Sequence, residues 1–194
     1  MDSLFSFFLN SVLLGIALAM DSFSVSIADG LSYPDMSKYT KVIIPANFGL
    51  FQGIMPLVGW ICVGTIAERF SIFQQSIPWI GFFLLLYIGV GMIKDRNKDE
   101  EVITSKAFTP GLLLLQGVAT AIDALSVGFA IADYSMKEVI IAAIIIAVVT
   151  FLICCVGITL GNSIGSKFRS HATTIGGIIL IGIGIETLLR GLLK

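Results

Sequence analysis

The sequence predicts an all-α integral membrane protein with six transmembrane helices arranged as two inverted three-helix repeats. Three observations predict it. Of 194 residues, 56% are hydrophobic and only 13% charged, with a mean hydropathy of +0.97, whereas an ordinary soluble domain carries roughly 25% charged residues. The apolar residues fall into runs of ~20, the length that spans a bilayer. A polar motif in the first run also returns in the fourth.

The runs cover residues 4–28, 42–66, 78–93, 109–132, 138–160 and 172–190. Hydrocarbon offers no partner to a free backbone N–H or C=O, so each run is expected to be helical. Strands of a membrane barrel would be about half as long and would alternate polar with apolar. In the first run, Ala17-Leu18-Ala19 imitates a signal-peptidase site. A signal peptide needs a basic leader, and this one has Asp2 and no Lys or Arg before an apolar stretch that runs on past the supposed cut. The second run carries Pro45, Pro56 and the pair Gly49/Gly53. The third is short, so residues flanking Ile80–Ile93 are expected to complete it.

The run from Lys94 to Glu101 is mixed in charge and reads as a solvated linker. It divides the chain into a first three-helix repeat (1–93), a cytoplasmic linker (94–108) and a second repeat (109–194). In the fifth run Gly157, Gly161 and Gly165 recur every four residues, a spacing that lets helices approach closely. In the sixth, Ile181-Gly182-Ile183-Gly184 resembles Ile88-Gly89-Val90-Gly91 of the third.

Loop charge sets the orientation. The first, third and fifth loops hold eight basic residues: Lys38, Lys41, Lys94, Arg96, Lys98, Lys106, Lys167 and Arg169. The opposite side, with both termini, holds four: Arg69, Lys137, Arg190 and Lys194. The first set is expected in the cytoplasm and both termini outside it.

Residues 15–30, GIALAMDSFSVSIADG, align with 117–132, GVATAIDALSVGFAIA, at a constant offset of 102, with seven of sixteen positions identical. The identities include Asp21/Asp123 and Ser24/Ser126. The repeated unit has three helices, an odd number, so the second copy enters the membrane from the opposite side. Such a repeat suits alternating access and brings equivalent residues together near the midplane.

A carboxylate near the bilayer centre costs on the order of 3 kcal/mol even on a mild insertion scale. Asp21 and Asp123 therefore need a cation, a proton or a polar cavity. The structural alternative is a pair of protonated aspartates hydrogen-bonded between helices. Ser24 and Ser126 share their aspartates' helical faces, and Asn47 and Gln52 add amides from the second helix. Carboxylate, amide and hydroxyl oxygens suit Mn²⁺, Mg²⁺ or Ca²⁺. Asp29, Asp133, Glu138 and Glu68 lie near the expected helix ends and read as interfacial and solvated, and Gln116 reads the same way.

Other classes find little support. Net charge is −1 and the basic residues sit in short loops, so nucleic-acid binding has no electrostatic basis. No Gly-rich run leads into Gly-Lys-Ser/Thr, so no phosphate loop is visible. Cys62, Cys154 and Cys155 read as packing residues, and His171 as a surface histidine in a basic loop.

At Ala19–Ser26, Phe48–Trp60 and Ala119–Gly128 the chain resembles the MntP-type manganese efflux pumps of bacteria. The resemblance extends over nearly the whole chain. It implies a bacterial cell-membrane protein that exports Mn²⁺, with Mn²⁺ as cargo, no cofactor and no enzymatic activity. The family's paired membrane aspartates fall on Asp21 and Asp123, and its second-helix motif on Asn47–Trp60. Some members carry Glu where this chain has Gln52. The combined expectation is a secondary transporter whose site is Asp21, Asp123, Asn47, Gln52, Ser24 and Ser126, with protons as exchange partner. A passive channel, or a transporter for another cation or small solute, is the alternative. An intramembrane aspartyl enzyme and a purely structural subunit are further readings.

Overall fold

The computed structural model describes residues 2–33, 35–95, 109–165 and 172–192, without the side chains of residues 63–78 and a few others such as Arg190. The charged linker from Arg96 onward, the basic loop with Lys167, Arg169 and His171, Lys194, and the side chains of Glu68 and Arg69 lie outside the described residues. Six helices form among the described residues: α1 (Asp2–Ser32), α2 (Thr40–Asp95), α3 (Pro110–Ala121), α4 (Ala124–Ala130), α5 (Met136–Gly165) and α6 (Ala172–Leu192).

Among the described residues, three segments are long and apolar enough to cross a membrane: Leu4–Ser32, Thr40–Cys62 and Met136–Ile164. The pair α3–α4, bent by 41°, makes a fourth when counted as one span. Phe82–Gly91 and Gly177–Glu186 are shorter apolar helical segments. The second and third apolar runs were expected as separate helices, but Thr40–Asp95 is continuous. The physical reason lies in residues 67–77, which contain neither Gly nor Pro. Glu68 and Arg69 mark a polar stretch there, and polarity alone does not break a helix.

Local chemistry sets several helix ends. Pro34 disfavours helical backbone at the residue before it, and α1 stops at Ser32. Thr109 caps α3 by accepting the Leu112 amide at 3.3 Å, and Pro110 follows at the first turn. At the start of α5, Glu138 Oε2 accepts from both the backbone N–H and the hydroxyl of Ser135, at 2.8 and 2.7 Å. The bond to the Ser135 N–H is the carboxylate half of a capping box, and Glu138 is exposed as expected.

The interior combines small and polar residues with large apolar ones such as Ile44, Phe48, Leu85 and Leu180, while a second set of large apolar residues faces outward. On α5, Ile144, Val148, Leu152, Val156, Leu160 and Ile164 form an exposed stripe at four-residue spacing. The opposite face buries Val139, Ala142, Ala143, Ile146, Thr150, Cys154 and Ile158. An apolar stripe of this length suits lipid and would be a liability in water. α1 packs chiefly along α5, and α2 along α3, α4, α5 and α6.

Two backbone-on-backbone seams hold these pairs. Gly30 of α1 backs onto the Ile158 carbonyl and the Asn162 amide of α5. Gly128 of α4 backs onto the Pro56 carbonyl and the Trp60 amide of α2. A Cβ at either glycine would meet backbone, which cannot move aside as a flexible side chain can. Pro56/Ile158 and Trp60/Asn162 are both pairs at offset 102.

Candidate functional site

Gln52 lies at the centre. It is fully buried on α2. Its Nε2 donates to the carbonyl of Leu18 at 2.7 Å, to the carbonyl of Thr120 at 3.2 Å and, more weakly, to Ser22 Oγ at 3.4 Å. Three acceptors around one nitrogen fix the orientation of the amide, because the flipped form would turn Oε1 toward two carbonyl oxygens. Gln52 Oε1 is then buried with no hydrogen-bond partner among the described residues.

Leu18 and Thr120 differ by 102 and each lies three residues before an aspartate of the repeated motif. One amide thus ties together the segments that carry Asp21 and Asp123. Leu18 and Ala124, which follows Asp123, also share a small buried cluster with Ile146, flanked by Leu14, Met55 and Val127.

The two aspartates sit in different backbone settings. Asp21 is half-buried within the unbroken α1. Asp123 is half-buried at the bend between α3 and α4, in the N-cap position of α4, and its side chain makes no capping bond. One of its carboxylate oxygens is buried.

The remaining expected residues divide. The Ser24 hydroxyl donates to the Met20 carbonyl of its own helix at 3.0 Å, while Ser126 is half-buried and its amide bonds to the Asp123 carbonyl at 2.9 Å. Asn47 does not join Gln52. Its Nδ2 donates to the Leu113 carbonyl at 2.7 Å, and it lies against Gly117, more than a turn of α3 before Asp123. The exposed side chain of Met20 is turned outward.

Asp29 and Gln116 were expected to be solvated, and the structure corrects this. Both are only 1% exposed, and Gln116 Nε2 donates to Asp29 Oδ1 at 2.9 Å. Their positions toward the ends of the first and fourth apolar runs suggested an interface with water, but the helices close over them. A sequence signal was available. Ser22, Ser26 and Asp29 lie four and three residues apart and share one face. A polar row on an otherwise apolar membrane helix faces inward, and all three are buried.

Comparison with known proteins follows this geometry. The family model described as "Putative manganese efflux pump" matches residues 35–188. The chain belongs to that family. Among its members, a protein of Methanosphaera stadtmanae named "Putative manganese efflux pump MntP" is 40% identical over 183 residues, covering 93% of this chain and 98% of the relative. A relative of the same name from Methanobrevibacter smithii is 38% identical over 178 residues, with 92% and 95% coverage. One from Maridesulfovibrio salexigens is 38% identical over 184 residues, with 92% and 96% coverage. No solved structure matches the chain.

Proposed function

We propose that this chain is a secondary transporter that exports Mn²⁺ from the cytoplasm by alternating access, exchanging it for protons. The single observation that carries the reading is the Gln52 amide, which gathers the two aspartate-bearing segments at equivalent carbonyls. Membership in a family whose described relatives are manganese efflux pumps supplies the ion and the direction.

Asp21 and Asp123 bind the ion in this reading, with Gln52 Oε1 as a neutral ligand and Ser24 and Ser126 as nearby oxygens; Asn47, held on the Leu113 carbonyl, stands outside this set. Among the described residues, no three or more His, Cys, Asp or Glu side chains gather at one point. A site with two carboxylates and neutral oxygens suits a hard or borderline divalent ion. It also has a modest charge, which suits release as well as capture. A carboxylate between apolar helices can hold either a cation or a proton, so proton exchange needs no further cofactor.

The inverted repeat and its six membrane crossings belong to the same proposal. The matched seams of Gly30 on α5 and Gly128 on α2, both using partners at offset 102, support the two-fold relationship. The test is manganese content in cells expressing the parent, Asp21→Asn or Asp123→Asn. Both variants are expected to lose the ability to lower cellular Mn²⁺. Parent-like export by both overturns the site.

A further inference from the structure

We propose that Asp29 and Gln116 form a second cation station, separate from Asp21 and Asp123 and nearer the C-terminal end of α1. The inference rests on the transport reading above. Asp29 and Gln116 are each 1% exposed, and one hydrogen bond of 2.9 Å joins Gln116 Nε2 to Asp29 Oδ1. That bond leaves Asp29 Oδ2 and Gln116 Oε1 buried with no hydrogen-bond partner among the described residues. Ser26, one turn before Asp29 and fully buried beside Cys154, adds a hydroxyl oxygen on the same helical face.

Two buried acceptor oxygens with no donor aimed at them, and a hydroxyl oxygen one turn away, are a poor set for a closed hydrogen-bond network and a good set for a hard cation. A carboxylate shut away from water with one neutral donor is also poorly compensated. Among the described residues no cationic side chain bonds to it, and Lys41 Nζ donates instead to Asn162 Oδ1 at 3.0 Å. Asp29 lies eight residues beyond Asp21 on α1, ~12 Å along the axis. That is too far for the two carboxylates to share one ion, so the stations are separate. A path with two stations lets an ion leave water in steps.

The test is Mn²⁺ stoichiometry of the purified full-length chain, read from the electron paramagnetic resonance of free Mn²⁺ during titration. The parent is expected to bind two ions per chain, and Asp29→Asn one. Asparagine keeps the volume and an oxygen for Gln116 Nε2, so a purely structural role would be preserved. Gln116→Met, which removes the amide oxygen, is expected to lose the same ion. Asp21→Asn is expected to lose the other and keep the one at Asp29. A parent count of one overturns the proposal even if a variant fails to fold, and so does an Asp29→Asn count equal to that of the parent. If Asp21→Asn and Asp123→Asn bind as the parent does while Asp29→Asn loses an ion, the second station stands and the first site falls.

Discussion

Leu18 and Thr120 offer their backbone carbonyls to the same nitrogen, Gln52 Nε2, at 2.7 and 3.2 Å. The two residues are 102 apart in sequence and belong to different halves of the chain. Gln52 is therefore a cross-link between halves. Gln52→Met keeps the volume and removes the donor, so it is expected to destabilise the fold by roughly 1–3 kcal/mol. Thermal unfolding in detergent measures this. An unchanged midpoint would mean that the amide carries no net stabilisation.

The glycine seams make a paired prediction. At Gly128 a side chain would run into the Pro56 carbonyl and the Trp60 amide. Gly128→Val is expected to cost roughly 1–3 kcal/mol or more through overpacking. At Gly182 a Cβ meets nothing within 4 Å. Gly182→Ala is expected to gain roughly 0.5–1 kcal/mol by reducing chain entropy in the unfolded state. Equal effects in the same unfolding assay would show that the seam does not hold the halves together.

Orientation is also measurable. Lys38 and Asp133 are both exposed, and the orientation expected from loop charge would put them on opposite sides of the membrane. In a chain with Cys62, Cys154 and Cys155 replaced, Lys38→Cys should react with an impermeant maleimide from the cytoplasmic side. Asp133→Cys should react from the outside. Labelling of both from one side rules out the inverted topology.

Much of the site was legible because its residues violate their surroundings. Asp21 and Asp123 stand out as charges in apolar runs, and the constant offset pairs them without any structure. Gln52 stood out as an amide in an apolar helix, but its partners did not, because they are backbone carbonyls and carry no sequence signature. The bend at Asp123 was likewise invisible, since Val118–Val127 holds no glycine or proline to announce it. Asp29 and Gln116 were misread because distance from a helix end was taken as distance from water. Their burial depends on how α1 meets α3, a long-range contact that local composition does not encode. The continuity of α2 was missed for the converse reason, since a polar stretch was taken as a break.

Asn47 makes a prediction that separates the two levels of the molecule. Its amide is committed to the Leu113 carbonyl, away from Gln52. Asn47→Leu is expected to reduce Mn²⁺ affinity less than Gln52→Met does, by at least severalfold in the same titration. The reverse order would return Asn47 to the coordination shell proposed for Asp21 and Asp123.

The seams carry a mechanical consequence. Upstream of the bend, Gly15 meets Val149 and its counterpart Gly117 meets Asn47, so glycines and partners alike are 102 apart. Downstream, Gly30 and Gly128 meet partners still 102 apart, yet the glycines themselves differ by only 98. The four missing residues are about one helical turn. Between its two paired contacts the unbroken α1 therefore spends one more turn of helix than the bent α3–α4 segment does.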